Sequence, residues 1–321
     1  MKYLIAGGAG FIGTNLVRRL IEKEQEVLVL DDYSTGSPVN LPTHPKLKVW
    51  EYKIQDIDKL FRGTFDDVDR IINLACPASP VAYQEQPLHT LDTSFNGTTK
   101  LLEVASYTGA RFLHTSTSEI YGDPKEHPQT EEYWGNVNCY GPRACYDEGK
   151  RVAESLIYEY QQVPVDARIV RIFNTYGPYM AMDDGRVVSN FIVQALRRQP
   201  ITIYGDGSQT RSFCYVDDLL DGLLHVLEGD YSRPINLGNP SEFTIRELAT
   251  VVCEVVGVPD SLIEYKPLPQ DDPKQRRPDI SKMKELYGWE PRYTLRQGIQ
   301  KTVRYFETCV PQLPKLQSEG G

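Results

Sequence analysis

Gly7-Gly8-Ala9-Gly10-Phe11-Ile12-Gly13 stands directly after an apolar run, Tyr3-Leu4-Ile5-Ala6, and opens a helical pattern at Phe11. Gly7, Gly10 and Gly13 therefore form a GxxGxxG loop between a strand and a helix. A bound pyrophosphate needs a tight turn there, a backbone bare enough to approach, and a helix N-terminus whose free N–H groups attract an anion. Glycines serve all three needs, and Phe11 and Ile12 ride on the same loop as further expected cofactor contacts. Asp31 closes the second predicted strand, where a carboxylate can bind the adenosine ribose hydroxyls; Asp32 is a second contact or a loop cap. An acid at that strand end repels the extra phosphate of NADP, and no arginine adjoins it, so the sequence points to NAD. Asp56, after the apparent third strand, meets the adenine or is a solvated turn aspartate.

Outward from the loop, short β-rich runs alternate with helical stretches. The pattern predicts strands over Tyr3–Ala6, Val27–Leu30, Ile71–Ala75, Phe112–Thr115 and Ala167–Phe173, with helices over Phe11–Glu22, Thr98–Thr108 and Cys145–Gln162. This is the α/β class: a Rossmann-type doubly wound parallel sheet with a smaller C-terminal substrate-binding lobe. After Asn174 the alternation loosens into Pro- and Gly-containing loops around helices predicted over Val187–Arg198, Val216–Leu227, Ile245–Val256 and Leu295–Phe306. Residues 1–175 plus about 212–240 are assigned to the NAD-binding domain and residues 176–211 and 241–310 to the substrate lobe. Residues 311–321 read as a disordered tail.

The 321 residues suffice to bury a full core, so size permits a complete enzyme. With 35 Lys and Arg against 44 Asp and Glu, the net charge of −9 repels nucleic acid and anionic membranes and leaves a small molecule as the expected partner. Six cysteines (Cys76, Cys139, Cys145, Cys214, Cys253 and Cys309) show neither metal-ligand spacing nor the density of a secreted scaffold, so reduced thiols and no metal are expected. The chain reaches its glycine loop without room for a signal sequence, and no apolar run is long enough to span a bilayer; a cytoplasmic enzyme is expected.

Tyr146 and Lys150 lie four apart on a predicted helix and so share a face. A lysine ammonium beside a tyrosine lowers the phenol pKa, letting it accept a proton from an alcohol while hydride leaves carbon for nicotinamide. Lysine can also hold the nicotinamide ribose. Tyr-x-x-x-Lys by itself is a common helical pattern, and it is the Rossmann loop upstream that gives it catalytic meaning. Thr115-Ser116-Thr117-Ser118-Glu119-Ile120-Tyr121-Gly122 lies just past a central strand, where ligands bind in open parallel sheets. Thr117 is the candidate proton-relay hydroxyl, while Ser116 and Ser118 can instead satisfy turn backbone and Glu119 can cap the structure that follows.

These motifs together resemble the extended short-chain dehydrogenase/reductase superfamily, to about Phe306. Ser116 to Pro124, Gly141 to Arg151, Asp184 to Phe191, Gly205 to Phe213, Asn236 to Pro240 and Asp271 to Asp279 more closely resemble the UDP-glucuronate decarboxylase (UDP-xylose synthase) family. The resemblance implies C4 oxidation of UDP-glucuronate by NAD+, loss of CO2 from the 4-keto acid, protonation at C5 and return of the hydride, giving UDP-xylose without net redox change. It casts Tyr146 as base, Lys150 as its assistant and Thr117 as the link between hydroxyl and phenol. Ser118, Glu119 and Arg211 fall at catalytic positions, with the division between Glu119 and Arg211 open. Asn174, Arg186, Val188, Asn190, Tyr204, Arg211 and Arg277 fall around the UDP. Arg277 is the expected phosphate ligand, although composition alone reads Arg276 and Arg277 as a solvated charge cluster. Ala75 is expected at the cofactor, with Cys76 a departure beside it; Val137-Asn138-Cys139-Tyr140 also departs from the commoner wording. A homodimer built from a four-helix bundle is implied as well.

Rivals share the first oxidation. Dehydratases need an acidic pair after the threonine, and Ser118-Glu119 supplies one acid. Epimerases rotate the keto sugar, and a decarboxylating relative releases a 4-keto-pentose with NADH. A scaffold that keeps the fold without catalysis is the alternative from another class, against which the retained Thr117, Tyr146 and Lys150 speak.

Overall fold

Apolar runs buried on both faces set the central sheet. In this computed structural model, which describes residues 1–60, 63–267 and 276–310, Leu4, Ile5, Ile71, Ile72, Phe112 and Leu113 are all completely enclosed. Adjacent residues of one strand face opposite sides, so each side needs its own helical cover. On one side Ile5, Ile72 and Leu113 pack with Leu16, Leu20, Leu219 and Leu223; on the other Leu4, Ile71 and Phe112 pack with Leu101, Leu102 and Ile157. The strands are β1 (Lys2–Ala6), β2 (Glu26–Asp31), β3 (Leu47–Glu51), β4 (Arg70–Asn73), β5 (Arg111–Thr117), β6 (Ala167–Ile172) and Ile235–Leu237. All pair in parallel, in the order Ile235–Leu237, β6, β5, β4, β1, β2, β3. The chain winds outward from β1 through β2 to β3, then restarts at β4 on the other side of β1. That reversal opens a crevice at the carboxyl ends of β1 and β4.

The helices Phe11–Glu22, Thr98–Thr108 and Ile245–Val256 have the bounds their periodicity predicts. β5 runs two residues past the predicted end because Ser116 and Thr117 pair with Arg171 and Ile172 of β6. The short helices Pro80–Glu85 and Pro87–Asp92, each begun by proline, leave no periodic signature because six residues are too few to show a period. Beyond β6 the described residues form three two-stranded pairings: Thr175–Tyr176 with Cys214–Tyr215, Ile201–Tyr204 with Ile263–Lys266, and Thr210–Ser212 with Glu242–Thr244. No helix among the described residues is long and apolar enough to cross a membrane. The expected tail 311–321 and Asp271 to Gln275 of the last family-like string lie outside the described residues.

Candidate active site

At the carboxyl edge of the sheet a cleft of about 1280 Å³ runs from the glycine loop across β5 to the loops beyond β6. Gly7 adopts φ +77°, and a Cβ there would lie 2.8 Å from the Ala75 backbone nitrogen. A Cβ on Gly13 would lie 2.2 Å from the Gly7 carbonyl oxygen, so this residue lets helix and loop touch. At Gly10 the nearest atom would be 3.4 Å away, which leaves that backbone face open toward the cleft, and Gly10 brings no side chain to cap the helix Phe11–Glu22. The Asp31 carboxylate accepts hydrogen bonds from the Ala9 N–H (2.8 Å) and the Tyr33 N–H (2.9 Å). Burial raises its pKa, against those two bonds. A bare loop at a helix N-terminus, with a fixed carboxylate at the end of β2, fits a dinucleotide.

Gly7, Gly10, Phe11, Ile12, Gly13, Asp31, Asp32 and Ala75 all line this half of the cleft. Asp32 also closes a turn, accepting the Ser34 N–H at 3.0 Å, and faces His89 at 3.3 Å. Asp56 stands apart: it sits in the 3-10 turn Ile54–Lys59, pairs with Lys59 at 2.5 Å, and leaves the lining to Ile54 and Gln55. The solvated-turn alternative is the one that its geometry matches.

Tyr146 and Lys150 project from the helix Ala144–Gln161, whose buried stripe is Tyr146, Gly149, Lys150, Ala153 and Ile157. A Cβ on Gly149 would come within 2.9 Å of Ser94 Oγ, so glycine permits the close packing of this helix against the turn Thr93–Gly97. Lys150 Nζ donates to the Thr115 carbonyl at 2.8 Å, and burial lowers its pKa. Tyr146 departs from the expectation of a phenol acidified by lysine. Burial drives its pKa up, the nearby Cys76 adds to the rise, and the Thr117 hydroxyl and Arg186 pull the other way. In so enclosed a site the loss of hydration outweighs the helpful neighbours.

Thr117 ends β5 and accepts the Glu119 N–H at 3.2 Å. Ser118 begins the 3-10 turn Ser118–Tyr121 and is buried. Ser116, still within the strand, donates to Glu154 at 2.5 Å rather than satisfying turn backbone. Glu119 is no cap. Its two carboxylate oxygens receive Arg143 and Arg276 respectively.

Arg276 reverses the compositional reading of a solvated pair. It is only 5% exposed, its guanidinium pKa is pulled down to about 10 by burial, and its Nε has no hydrogen-bond partner. Arg277 faces the other way, as successive residues of an extended segment must, and meets Glu242 at 3.7 Å outside the cleft lining. Sequence reasoning missed two further groups here. Arg143 lies within the family-like string Gly141 to Arg151, which assigned it no role. Tyr83 stacks on Tyr146 with ring centroids 5.1 Å apart and planes 6° from parallel, and its buried hydroxyl lacks a partner. Asn174, Arg186, Val188, Asn190, Tyr204 and Arg211 line the far half of the cleft. Arg186 pairs with Asp184 and lies over the Phe11 ring at 5.8 Å, while Arg211 donates to the Thr210 carbonyl at 2.8 Å.

A Rossmann sheet with a dinucleotide loop and a buried Tyr-x-x-x-Lys pair defines an NAD-dependent enzyme of the dehydrogenase type. Residues 3–238 match the NAD dependent epimerase/dehydratase family, and the chain belongs to that family. UDP-glucuronic acid decarboxylase 4 of Arabidopsis thaliana is 51% identical over 311 residues, covering 97% of this chain and 69% of that protein. UDP-glucuronic acid decarboxylase 6 of the same plant is 53% identical over 304 residues, covering 93% and 87%. Among solved structures, the UDP-glucose 4-epimerase of Thermotoga maritima, crystallised with UDP-glucose, superposes with a TM-score of 0.88 at 29% identity, covering 96% of this chain and 99% of that one.

Proposed function

We propose that this chain is a UDP-glucuronate decarboxylase that works through bound NAD and releases UDP-xylose. The observation that carries this reading is the position of Glu119 between Arg143 and Arg276, in the same cleft as Thr117, Tyr146 and Lys150. A wall that reads an anion stands beside a floor that can deprotonate a hydroxyl. Identity near one half with UDP-glucuronic acid decarboxylases, over nearly the whole chain, supports the same substrate.

Gly7, Gly10, Phe11, Ile12, Gly13, Asp31, Asp32 and Ala75 hold the cofactor, and Lys150 reaches its ribose. Bound there, NAD would supply a reversible hydride acceptor for sugar C4. Tyr146 acts as its phenolate, which the positive charges of Lys150 and of bound NAD+ would favour; it accepts the C4 hydroxyl proton with Thr117 as the link, and gives it back at the end. The intermediate ketone lies β to the C6 carboxylate, so the electron pair left by departing CO2 spreads into an enolate that hydrogen-bond donors stabilise. Arg276 meets the carboxylate, since its guanidinium is buried, short of one partner and aimed into the cleft; Arg143 and the Tyr83 hydroxyl stand beside it. Glu119, crowded by that carboxylate, favours its loss, and with Ser118 steers the C5 proton. Arg211, Arg186, Asn174, Val188, Asn190 and Tyr204 surround the UDP.

The assignment of residues 1–175 and about 212–240 to the NAD-binding unit is supported by Ile235–Leu237 joining the sheet beside β6, and the UDP-sugar lobe takes the rest. A homodimer is supported by Leu88, Leu91, Phe95, Tyr107 and Tyr158, exposed apolar side chains on neighbouring helices. A cytoplasmic setting is supported by six unpaired cysteines.

The test is incubation with UDP-glucuronate without added reductant, followed by mass and proton NMR, with UDP-glucose in parallel. UDP-xylose and CO2 are expected, with UDP-glucose unchanged. An epimer of unchanged mass would overturn decarboxylation, and a 4-keto-pentose with NADH would overturn the returned hydride.

A further inference from the structure

Arg276 must face inward and Arg277 outward for the cleft to have its anion-reading wall, yet both belong to one short extended segment. Gln129, 1% exposed and outside the cleft lining, grips that segment at several points. Its N–H donates to the Arg277 carbonyl at 2.9 Å, and its carbonyl accepts the Asp279 N–H at 2.9 Å; these are the two bonds of an isolated parallel bridge between Gln129 and Pro278. Its side chain adds what the bridge lacks. Gln129 Oε1 accepts the Arg277 N–H at 3.0 Å, so both polar groups of the Arg277 backbone are tied to one residue. The amide end is anchored in turn: Gln129 Nε2 donates to the Glu126 carbonyl at 2.7 Å. Asn236 locks the bridge from beneath, donating through Nδ2 to the Gln129 carbonyl (3.0 Å) and the Asp279 carbonyl (3.3 Å) while its Oδ1 accepts the Tyr121 hydroxyl (2.7 Å). Ser212 Oγ donates to the Arg276 carbonyl at 3.3 Å from the other side.

We infer that Gln129 is a positioning residue for substrate recognition, acting through the Arg276–Arg277 backbone to hold the Arg276 guanidinium against Glu119 and the incoming carboxylate. A buried N–H that loses its acceptor favours rotation of its peptide toward another partner. Rotation at Arg277 swings the flanking side chains, so the damage falls on the reading of the carboxylate while the nucleotide part of the site stays intact. The inference rests on the proposed role of Arg276, so the test separates the two.

In a Tyr146→Phe background that blocks turnover, the affinities of UDP-glucuronate and of UDP-xylose, which lacks the carboxylate, are measured by calorimetry for Gln129→Met and Arg276→Met. Methionine keeps the volume and both main-chain bonds and removes the side-chain acceptor together with the Nε2 donor that anchors it to the Glu126 carbonyl. Gln129→Met is expected to weaken UDP-glucuronate about tenfold and to leave UDP-xylose within about twofold. Arg276→Met is expected to show the same selectivity with a larger loss. Selective loss in Arg276→Met with equal weakening of both ligands, or none, in Gln129→Met overturns the positioning role. Absence of selectivity in Arg276→Met overturns the reading of Arg276, and this inference with it. Should Gln129→Met fail to fold, Ser212→Ala, which frees the Arg276 carbonyl at smaller cost, is expected to show the same selective loss, and equal affinities there would overturn the inference.

Discussion

Between Gly7 and Asp31 the cleft is made of main chain: three glycines, a helix N-terminus without a side-chain cap, and one carboxylate held by two backbone N–H groups. Between Glu119 and Arg276 it is made of charge, with a carboxylate and two guanidiniums drawn from positions 119, 143 and 276. The first half is assembled by neighbours in sequence and holds its shape through steric limits. The second is assembled across 157 positions and holds its shape through ion pairs and the ties on Gln129. A backbone site suits a part that every turnover needs in the same place, whereas a site of side chains can discriminate among substrates. The Tyr146 helix joins the two halves, and its variants should separate them most sharply.

Tyr146→Phe should have the largest effect, lowering kcat by about 10³-fold, the scale of a lost general base. Because Tyr83 stacks on the ring rather than on the hydroxyl, phenylalanine should keep its place, and NAD content read from the absorbance of released cofactor should match the parent. A fall in kcat smaller than tenfold would remove Tyr146 from the proton path. Gly13→Ala attacks the backbone half instead. Its Cβ would meet the Gly7 carbonyl oxygen at 2.2 Å and Gly8 Cα at 2.7 Å, and neither is a flexible side-chain end. NAD affinity by fluorescence titration should drop about 100-fold, as expected for roughly 3 kcal/mol of backbone strain. Wild-type affinity would show that the loop does not carry the pyrophosphate.

The same contrast divides what is legible in the sequence from what only folding creates. The glycine loop, Asp31 and the Tyr146/Lys150 pair are local patterns whose spacing is their geometry, and the periodicity of Phe11–Glu22 and Ile245–Val256 marks those helices to the residue. Tyr83 belongs to no local pattern and Arg143 takes no role from the string that contains it; only the packing of the helix Ala144–Gln161 against Pro80–Glu85 brings Tyr83 onto Tyr146. Arg276 and Arg277 are indistinguishable by type, and a bridge to Gln129 decides which one turns inward. The phenol pKa departs from its expected direction for a related reason. Spacing places Lys150 near Tyr146, but the degree of burial, which dominates, is a property of the whole fold.

The smallest expected effect lies at Asp147, next to the reactive tyrosine. Its Oδ2 is 3.9 Å from Arg143 Nε, its Oδ1 is buried without a hydrogen-bond partner, and burial raises its pKa to about 6 against the pull of Arg143. In the unfolded chain an aspartate titrates near about 3.9, so between these values the folded protein binds the extra proton. Stability from this group is therefore lost as pH rises through that window, and above it the full cost of a poorly solvated carboxylate remains. Asp147→Asn removes that cost while keeping the shape. Its melting temperature should exceed the parent's by about 2–4 °C at pH 8, and the gain should vanish by about pH 4. A loss of melting temperature at pH 8 that fades in acid would mean the Arg143 contact outweighs desolvation. Asp147 would then belong to the charged half of the cleft, as a fourth member of the chain that runs through Arg143 and Glu119 to Arg276.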